Sequence, residues 1–545
     1  MGPEGETLPG RVLQLTVQRG RASTILLPDD VPLPDHGKWF SPQAKNRETS
    51  GNAVTFFMAG AEAYTAMAGA IKAATGAGDL IGLFGWALEL DMLLDPSDPR
   101  STMDALLADA SGRGVPIRVM LNAFFKDPRT GKPFKGNDNA PAVAKINTLA
   151  TGGAIEDERN LDLQVQKFLR LATPLGLLLP RIIVGSHHQK ILVVATAGAL
   201  KVFIGGRDIA VFNRDAHDVH GRYEGPVAEA LAKVFVDRWN DHPRVKASAG
   251  GNLRPLTLPA SRPVPPPASR SVQVGTTYPN GDKHDGIGVK FVPGVLGPTI
   301  TAAGYGFAPA GDTSIRTMIL HAIDQAKEFI YVEDQFLVDR TIRDRLKQKL
   351  LATKDFFLVM VTNGAEKNQG NQMDLRRELF LRPLLTAAPD RALAFSVTSA
   401  ANYVHSKLWI FDDQYVINGS ANCNSRGYTH DSEVVAGTTD PNPVQSEFGA
   451  KLYLSHVLRM KLWAIHLGLV TEDLVIPSPL FWKPLPSTAK VKPWVLQPNL
   501  GAPNDPWGLL IAGYMAMVTG QAKLIADAFL NSDLMWDLII DPDGS

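Results

Sequence analysis

Two short segments hold residue types able to bind and break a phosphodiester. Ser186-His187-His188-Gln189-Lys190 and Val404-His405-Ser406-Lys407 each set a His two positions before a Lys. On a strand, side chains alternate with period two, so the imidazole and the ammonium of each pair share a face. The spacing alone is a weak signal, because 12 His in 545 residues produce His-x-Lys about 0.5 times by chance. His36-Gly37-Lys38 illustrates this: it sits among Pro and Gly with no strand after it and reads as a solvated loop.

The contexts of the other two copies match each other. Ile191-Leu192-Val193-Val194 and Lys201-Val202-Phe203-Ile204 read as strands ending in Gly205-Gly206-Arg207-Asp208. Leu408-Trp409-Ile410-Phe411 and Tyr415-Val416-Ile417-Asn418 repeat that order before Gly419-Ser420-Ala421-Asn422. An acid closes each copy: Asp218, 30 residues beyond His188, and Glu433, 28 beyond His405. Upstream, Ala61–Ala74 and Thr102–Ser111 read as helices alternating with strands Leu80–Leu88 and Pro116–Leu121. Ser314–Lys327 and Arg340–Leu351 alternate in the same way with Phe329–Glu333 and Phe356–Thr362. The pattern predicts an α/β protein of two duplicated lobes, each a mostly parallel mixed sheet flanked by helices.

With these residues in view, roughly positions 50 to 470 resemble the phospholipase D superfamily, in which two H-x-K-x4-D motifs meet across a pseudo-twofold between lobes. His187-His188-Gln189-Lys190, His217-Asp218-Val219-His220, Tyr331 to Phe336 and Asp431-Ser432-Glu433 look like its lipid-cleaving branch. Asp412 completes the second motif, whereas the first has Ala195 in place of Asp. The resemblance implies that His188 is the nucleophile and His405 the general acid and base.

Residue chemistry agrees with that implication. Lys190, Lys407 and the amide of Asn422 can neutralise and hold non-bridging oxygens. A neutral imidazole can attack phosphorus, and a protonated one can donate to the leaving alcohol. Asp218 and Glu433 are the carboxylates expected to fix the tautomers. Asp208, Gly206, Ser420 and Gln335 are the further expected substrate contacts. The mechanism needs no cofactor, and no His or carboxylate set has metal-ligand spacing in the sequence. His187 reads equally as a packed structural residue or a site residue, and Cys423 as inert packing.

Composition narrows the partners. With 55 basic and 55 acidic residues the formal charge is zero, which disfavours a nucleic-acid substrate and leaves a phospholipid at an interface. A basic run from Lys126 to Lys135 reads as a solvated loop. No signal peptide and no run of about 18 apolar residues is visible, so the expectation is a chain without a membrane span. That chain would be cytoplasmic or exported without a cleaved signal. Leu171–Val184 is the most apolar loop, and its leucines are candidates for touching acyl chains.

The expected layout is an N-terminal extension (1–50), a first lobe (51–253), a Pro-rich connection (254–290), a second lobe (291–475) and a C-terminal extension (476–545). The last is expected to carry a helix from Trp507 to Asn531. Both half-sites in one chain suggest a monomer. The leading functional expectation is a phospholipase D-type hydrolase; a phosphatidyltransferase and a non-catalytic phospholipid-binding protein are the alternatives.

Overall fold

The computed structural model describes residues 36–124, 138–159, 185–248, 250–264, 269–279, 305–364, 370–399, 403–429 and 431–496. The apolar loop 171–184, the basic run 126–135 and the helix expected at 507–531 lie outside them.

Seven strands build the first lobe: β1 Thr49–Phe57, β2 Leu80–Gly85, β3 Ile117–Asn122, β4 Gly152–Asp157, β5 Ile191–Ala195, β6 Leu200–Gly205 and β7 His220–Glu224. The second holds β8 Arg270–Tyr278, the two-residue β9 Asp312–Thr313, β10 Phe329–Asp334, β11 Phe357–Thr362, β12 Ala392–Val397, β13 Lys407–Phe411, β14 Tyr415–Gly419 and β15 Glu433–Thr439. A separate hairpin joins β16 Val444–Gln445 to β17 Lys451–Leu452, and β18 Val491–Pro493 edges the main sheet. From the centre outward the first lobe runs β1-β7-β6-β5-β2-β3-β4 and the second β8-β15-β14-β13-β10-β11-β12. The orders are the same, and β1 meets β8 antiparallel at the seam, so one sheet crosses both lobes.

The sheet is mixed, with a smaller parallel share than the helix-strand alternation suggested. Parallel ladders are confined to β2-β3-β4 and β10-β11-β12. There, helices such as Met103–Gly112 and Arg340–Ala352 supply the crossovers. The short link between β5 and β6, like that between β13 and β14, permits only antiparallel pairing.

Strands β2, β3, β10, β11 and β12 are buried along their whole length because helices cover both faces, which is why they read as continuous apolar runs. Helix Pro226–Asp241 lies so close to β2 that a Cβ on Gly82 would stand 2.8 Å from the Phe235 ring.

Two expectations change. The connection placed at 254–290 contains β8, whose residues Val272 to Tyr278 are buried between β1 and β15. Its Val-x-Val alternation was overshadowed by the prolines before it. His36-Gly37-Lys38 is not a freely solvated loop but the start of a 3-10 turn. Trp39 follows it into the second lobe's core and stacks on Tyr415 at 5.6 Å between ring centroids.

Candidate active site

Both His-Lys pairs sit where the lobes touch, just ahead of β5 and within the entry to β13. Single-residue parallel bridges join the lobes at these points: His187 with Ser432, and His217 with Val404. The amide of His188 donates to the carbonyl of Ser432 at 3.1 Å, and that of His405 to the carbonyl of His217 at 2.8 Å. Each histidine therefore lies opposite the acid of the other lobe. His188 Nδ1 is 2.7 Å from Glu433 Oε1, and His405 Nδ1 is 2.9 Å from Asp218 Oδ2. Nδ1 makes the only ring hydrogen bond of either histidine among the described residues, which leaves Nε2 for a substrate.

The lysines are held by backbone and side chains of their own lobes. Lys190 Nζ donates to the carbonyl of His188 at 2.9 Å and lies 3.4 Å from Asp208 Oδ2. Lys407 Nζ donates to the carbonyl of His405 and, at 2.9 Å, to Gln335 Oε1. Gln335 Nε2 in turn donates to the Tyr403 hydroxyl.

The expected substrate contacts divide by environment. Asp208 accepts from the amides of Trp86 and Ala87 besides pairing with Lys190, so its carboxylate is occupied in positioning. Ser420 donates its hydroxyl to Glu433 Oε2 rather than facing an anion. Gly206, the counterpart of Ser420, leaves room for Asp218; a Cβ there would fall 2.4 Å from Asp218 Oδ2. Gln335 positions Lys407. Asn422 keeps its buried Oδ1 without a partner among the described residues, consistent with a group awaiting a ligand.

Electrostatics separates the two pairs. Burial, reinforced by Lys190 and Lys407, pushes His188 well below the usual histidine range. Burial and the neighbouring Asp431 raise Glu433 well above the carboxylate range. The His188–Glu433 pair is thus driven toward neutrality. Burial and Lys407 bring His405 down to about 4 against the pull of Asp218. Burial would raise Asp218, but the hydrogen bond from His405 holds it below its ordinary value. Burial also lowers Lys407 to about 8.

The residue missing from the first motif has a structural explanation. Asp412 lies in the turn between β13 and β14 and reaches the turn before β10, where its carboxylate accepts from the amides of Lys327, Glu328 and Phe329 at 2.7 to 2.9 Å. In the first lobe the turn before β2 is held from within by Asp79, which accepts from Thr75 and Gly76. Ala195 therefore lacks a turn brace, not a group at the phosphate site.

Sequence reasoning missed two asparagines at the ends of equivalent strands, Asn122 closing β3 and Asn363 directly after β11. Asn122 Oδ1 accepts from the His187 amide at 2.8 Å, and Asn363 brackets Val404 through both amide atoms at 2.8 Å. Each holds the residue immediately before a site histidine. The repeat could have found them, since both directly follow a third-strand apolar run. His187 itself is buried edge-on against Phe84, 4.9 Å between centroids, with both ring nitrogens unpartnered among the described residues, which is the packed role. Cys423 is buried, its thiol raised by burial, and its amide caps Asp334.

The expectation of no clustered ligand set changes as well, because His217, Glu333 and His466 converge with donor atoms within 4.8 Å of one another. Separations of 116 and 133 residues hid them. As they stand, both Nε2 atoms bond the carboxylate, at 2.7 and 2.8 Å, and Tyr331 donates to it as well. That set is complete as hydrogen bonds.

A family model described as cardiolipin synthase, PLD-like domain, matches residues 319–452. Phospholipase D alpha 1 of Arabidopsis thaliana is 24% identical over 349 residues, covering 48% of this chain and 41% of that protein. Phospholipase D alpha 1 of Ricinus communis is 22% identical, covering 74% and 64%. Together these matches support membership of the chain in the phospholipase D superfamily.

The chain thus spans 41 to 64% of the length of these plant relatives. Among solved structures, phosphatidylserine synthase of Haemophilus influenzae aligns at 12% identity and a TM-score of 0.48, covering 87% of this chain and 94% of that one. The phospholipase D family member Nuc of Salmonella typhimurium aligns over 31% of this chain and 84% of its own, at 18% identity and a TM-score of 0.21. Among the described residues, no helix is long and apolar enough to cross a membrane.

Proposed function

We propose that the chain is a phospholipase D-type phosphodiesterase that cleaves phospholipids to phosphatidate and free head-group alcohol through a covalent phosphohistidine. The observation that carries this reading is the crossed pairing of His188 with Glu433 and His405 with Asp218, which leaves both Nε2 atoms without a partner among the described residues and beside two buried lysines.

Lys190 and Lys407, with Asn422, hold the phosphodiester anion and withdraw charge from phosphorus. The neutral environment of His188 supports it as nucleophile. Its Nε2 forms the P–N bond while the P–O bond to the head group breaks, and the proton on His405 Nε2 goes to the leaving oxygen. An ionised Asp218 supports the imidazolium that His405 must become. Water then gives its proton to His405, bonds to phosphorus and releases His188. An alcohol in place of water yields a transferred phosphatidyl group by the same step. Because one chain supplies both halves, a monomer suffices.

Acid-labile, alkali-stable phosphorus on the peptide holding His188 after rapid quenching with phospholipid would support this mechanism. Its absence in wild type that is actively turning over would refute the covalent step.

A further inference from the structure

We propose that His217, Glu333 and His466 form a positioning set that fixes Asp218 against His405 without touching substrate. The inference rests on the reading of His405 as the proton-transfer group.

His217 immediately precedes Asp218, and its backbone grips both sides of His405. Its amide donates to the Tyr403 carbonyl at 2.8 Å, while its carbonyl accepts from the His405 amide at 2.8 Å. That one-residue bridge is all the parallel pairing available at this point, and a single bridge is a weak restraint on register. The imidazole adds the missing anchor by reaching into the second lobe, where its Nε2 lies 2.7 Å from Glu333 Oε2. Glu333 is the penultimate residue of β10 and is fully buried, and its other oxygen accepts from Tyr331 and from His466 on helix Leu454–Leu467. Burial alone would raise the Glu333 carboxyl, yet the two imidazoles hold it well below the carboxylate range, so it anchors them as an anion.

Glu333 is also two residues from Gln335, which holds Lys407. The placement of the acid partner of His405 and that of the lysine beside it thus converge on one carboxylate. The other half-site is braced differently. There Arg426 grips Asp431 at 2.7 and 2.8 Å, and Asp431 accepts from the Ser186 amide, ahead of His188. The His-Glu-His set thus serves the His405 half.

The test follows the Nδ1 proton of His405 by NMR in histidine-labelled full-length protein, together with kcat, KM and Tm. His217→Leu should move or abolish that resonance and lower kcat about 10- to 100-fold with KM nearly unchanged, because a small misplacement of a reacting group costs that much. His217→Gln, whose side-chain amide can replace the Nε2 donor, should restore the resonance and most of kcat. An unmoved His405 resonance and full kcat in His217→Leu would overturn the proposal, even if Tm fell. Should His217→Leu not fold, Glu333→Gln is read by the same resonance: a shift supports the positioning role and an unmoved signal overturns it. If wild type cleaves no phosphodiester, the functional reading fails while the resonance still decides the positioning.

Discussion

His188 and Glu433 lie 245 residues apart on different lobes, yet their side chains meet at 2.7 Å. The reciprocal pair, His405 with Asp218, crosses in the opposite direction over 187 residues. Neither His188 nor His405 meets an acid of its own lobe, so the duplication makes one site and not two. The pairs are also unequal, since Glu433 is pushed toward its neutral form and Asp218 away from it.

That inequality predicts unequal losses. Asp218→Asn removes the carboxylate that supports a protonated His405 and should lower kcat by about 10²- to 10⁴-fold, the range for general acid-base groups. Glu433→Gln should cost clearly less, because the native group already leans toward neutrality. Steady-state kinetics on a soluble short-chain phospholipid tests both, and equal losses would contradict the assignment.

Gly206→Ala probes the same corner sterically. The added Cβ would fall 2.4 and 2.6 Å from the two Asp218 carboxylate oxygens and 2.8 Å from the His405 carbonyl. Activity should drop at least about tenfold, as expected when a catalytic group is displaced by a fraction of an ångström. The His188–Glu433 contact should survive in a crystal structure of the variant.

The first motif should not be repaired by restoring its aspartate. Ala195→Asp is expected to leave kcat within about twofold of wild type. Asp412→Ala removes three amide bonds to a buried carboxylate and should lower stability by about 3 kcal/mol, with kcat of the folded protein largely kept. Denaturant unfolding alongside activity separates the two effects.

Acid should destabilise the fold. His405 is brought down to about 4 and His220 to about 3, chiefly by burial, while an unfolded histidine titrates near 6.5. Between these values the unfolded chain binds more protons than the native one, so stability is fully present above about pH 6.5 and falls as pH drops toward 4. Each such group contributes a slope of about 1.4 kcal/mol per pH unit. Unfolding midpoints measured from pH 7.5 to 4.5 check the sign.

Much of the fold was legible because its strands are buried on both faces, and Leu358 to Val361 or Ile191 to Val194 cannot read as anything else. Residue types at the site were legible for a related reason: the duplication set His188 against His405 and Asp218 against Glu433. Which acid meets which histidine was not, since pairing across lobes leaves no trace in local spacing. The same limit hid His217, Glu333 and His466, and it made Ser420 look like an anion contact when Glu433 claims its hydroxyl. Strand β8 was obscured because proline-rich sequence just before it set the composition of the window.

Phosphatidyl transfer through His188 is tested most directly by product analysis. Purified protein would be incubated with mixed phospholipid vesicles, ethanol and chelator beside His188→Ala and His405→Ala. Phosphatidate together with phosphatidylethanol, lost in both variants, is the predicted result. No phosphodiester cleavage of any head group by wild type, or products that persist in His188→Ala, would contradict it.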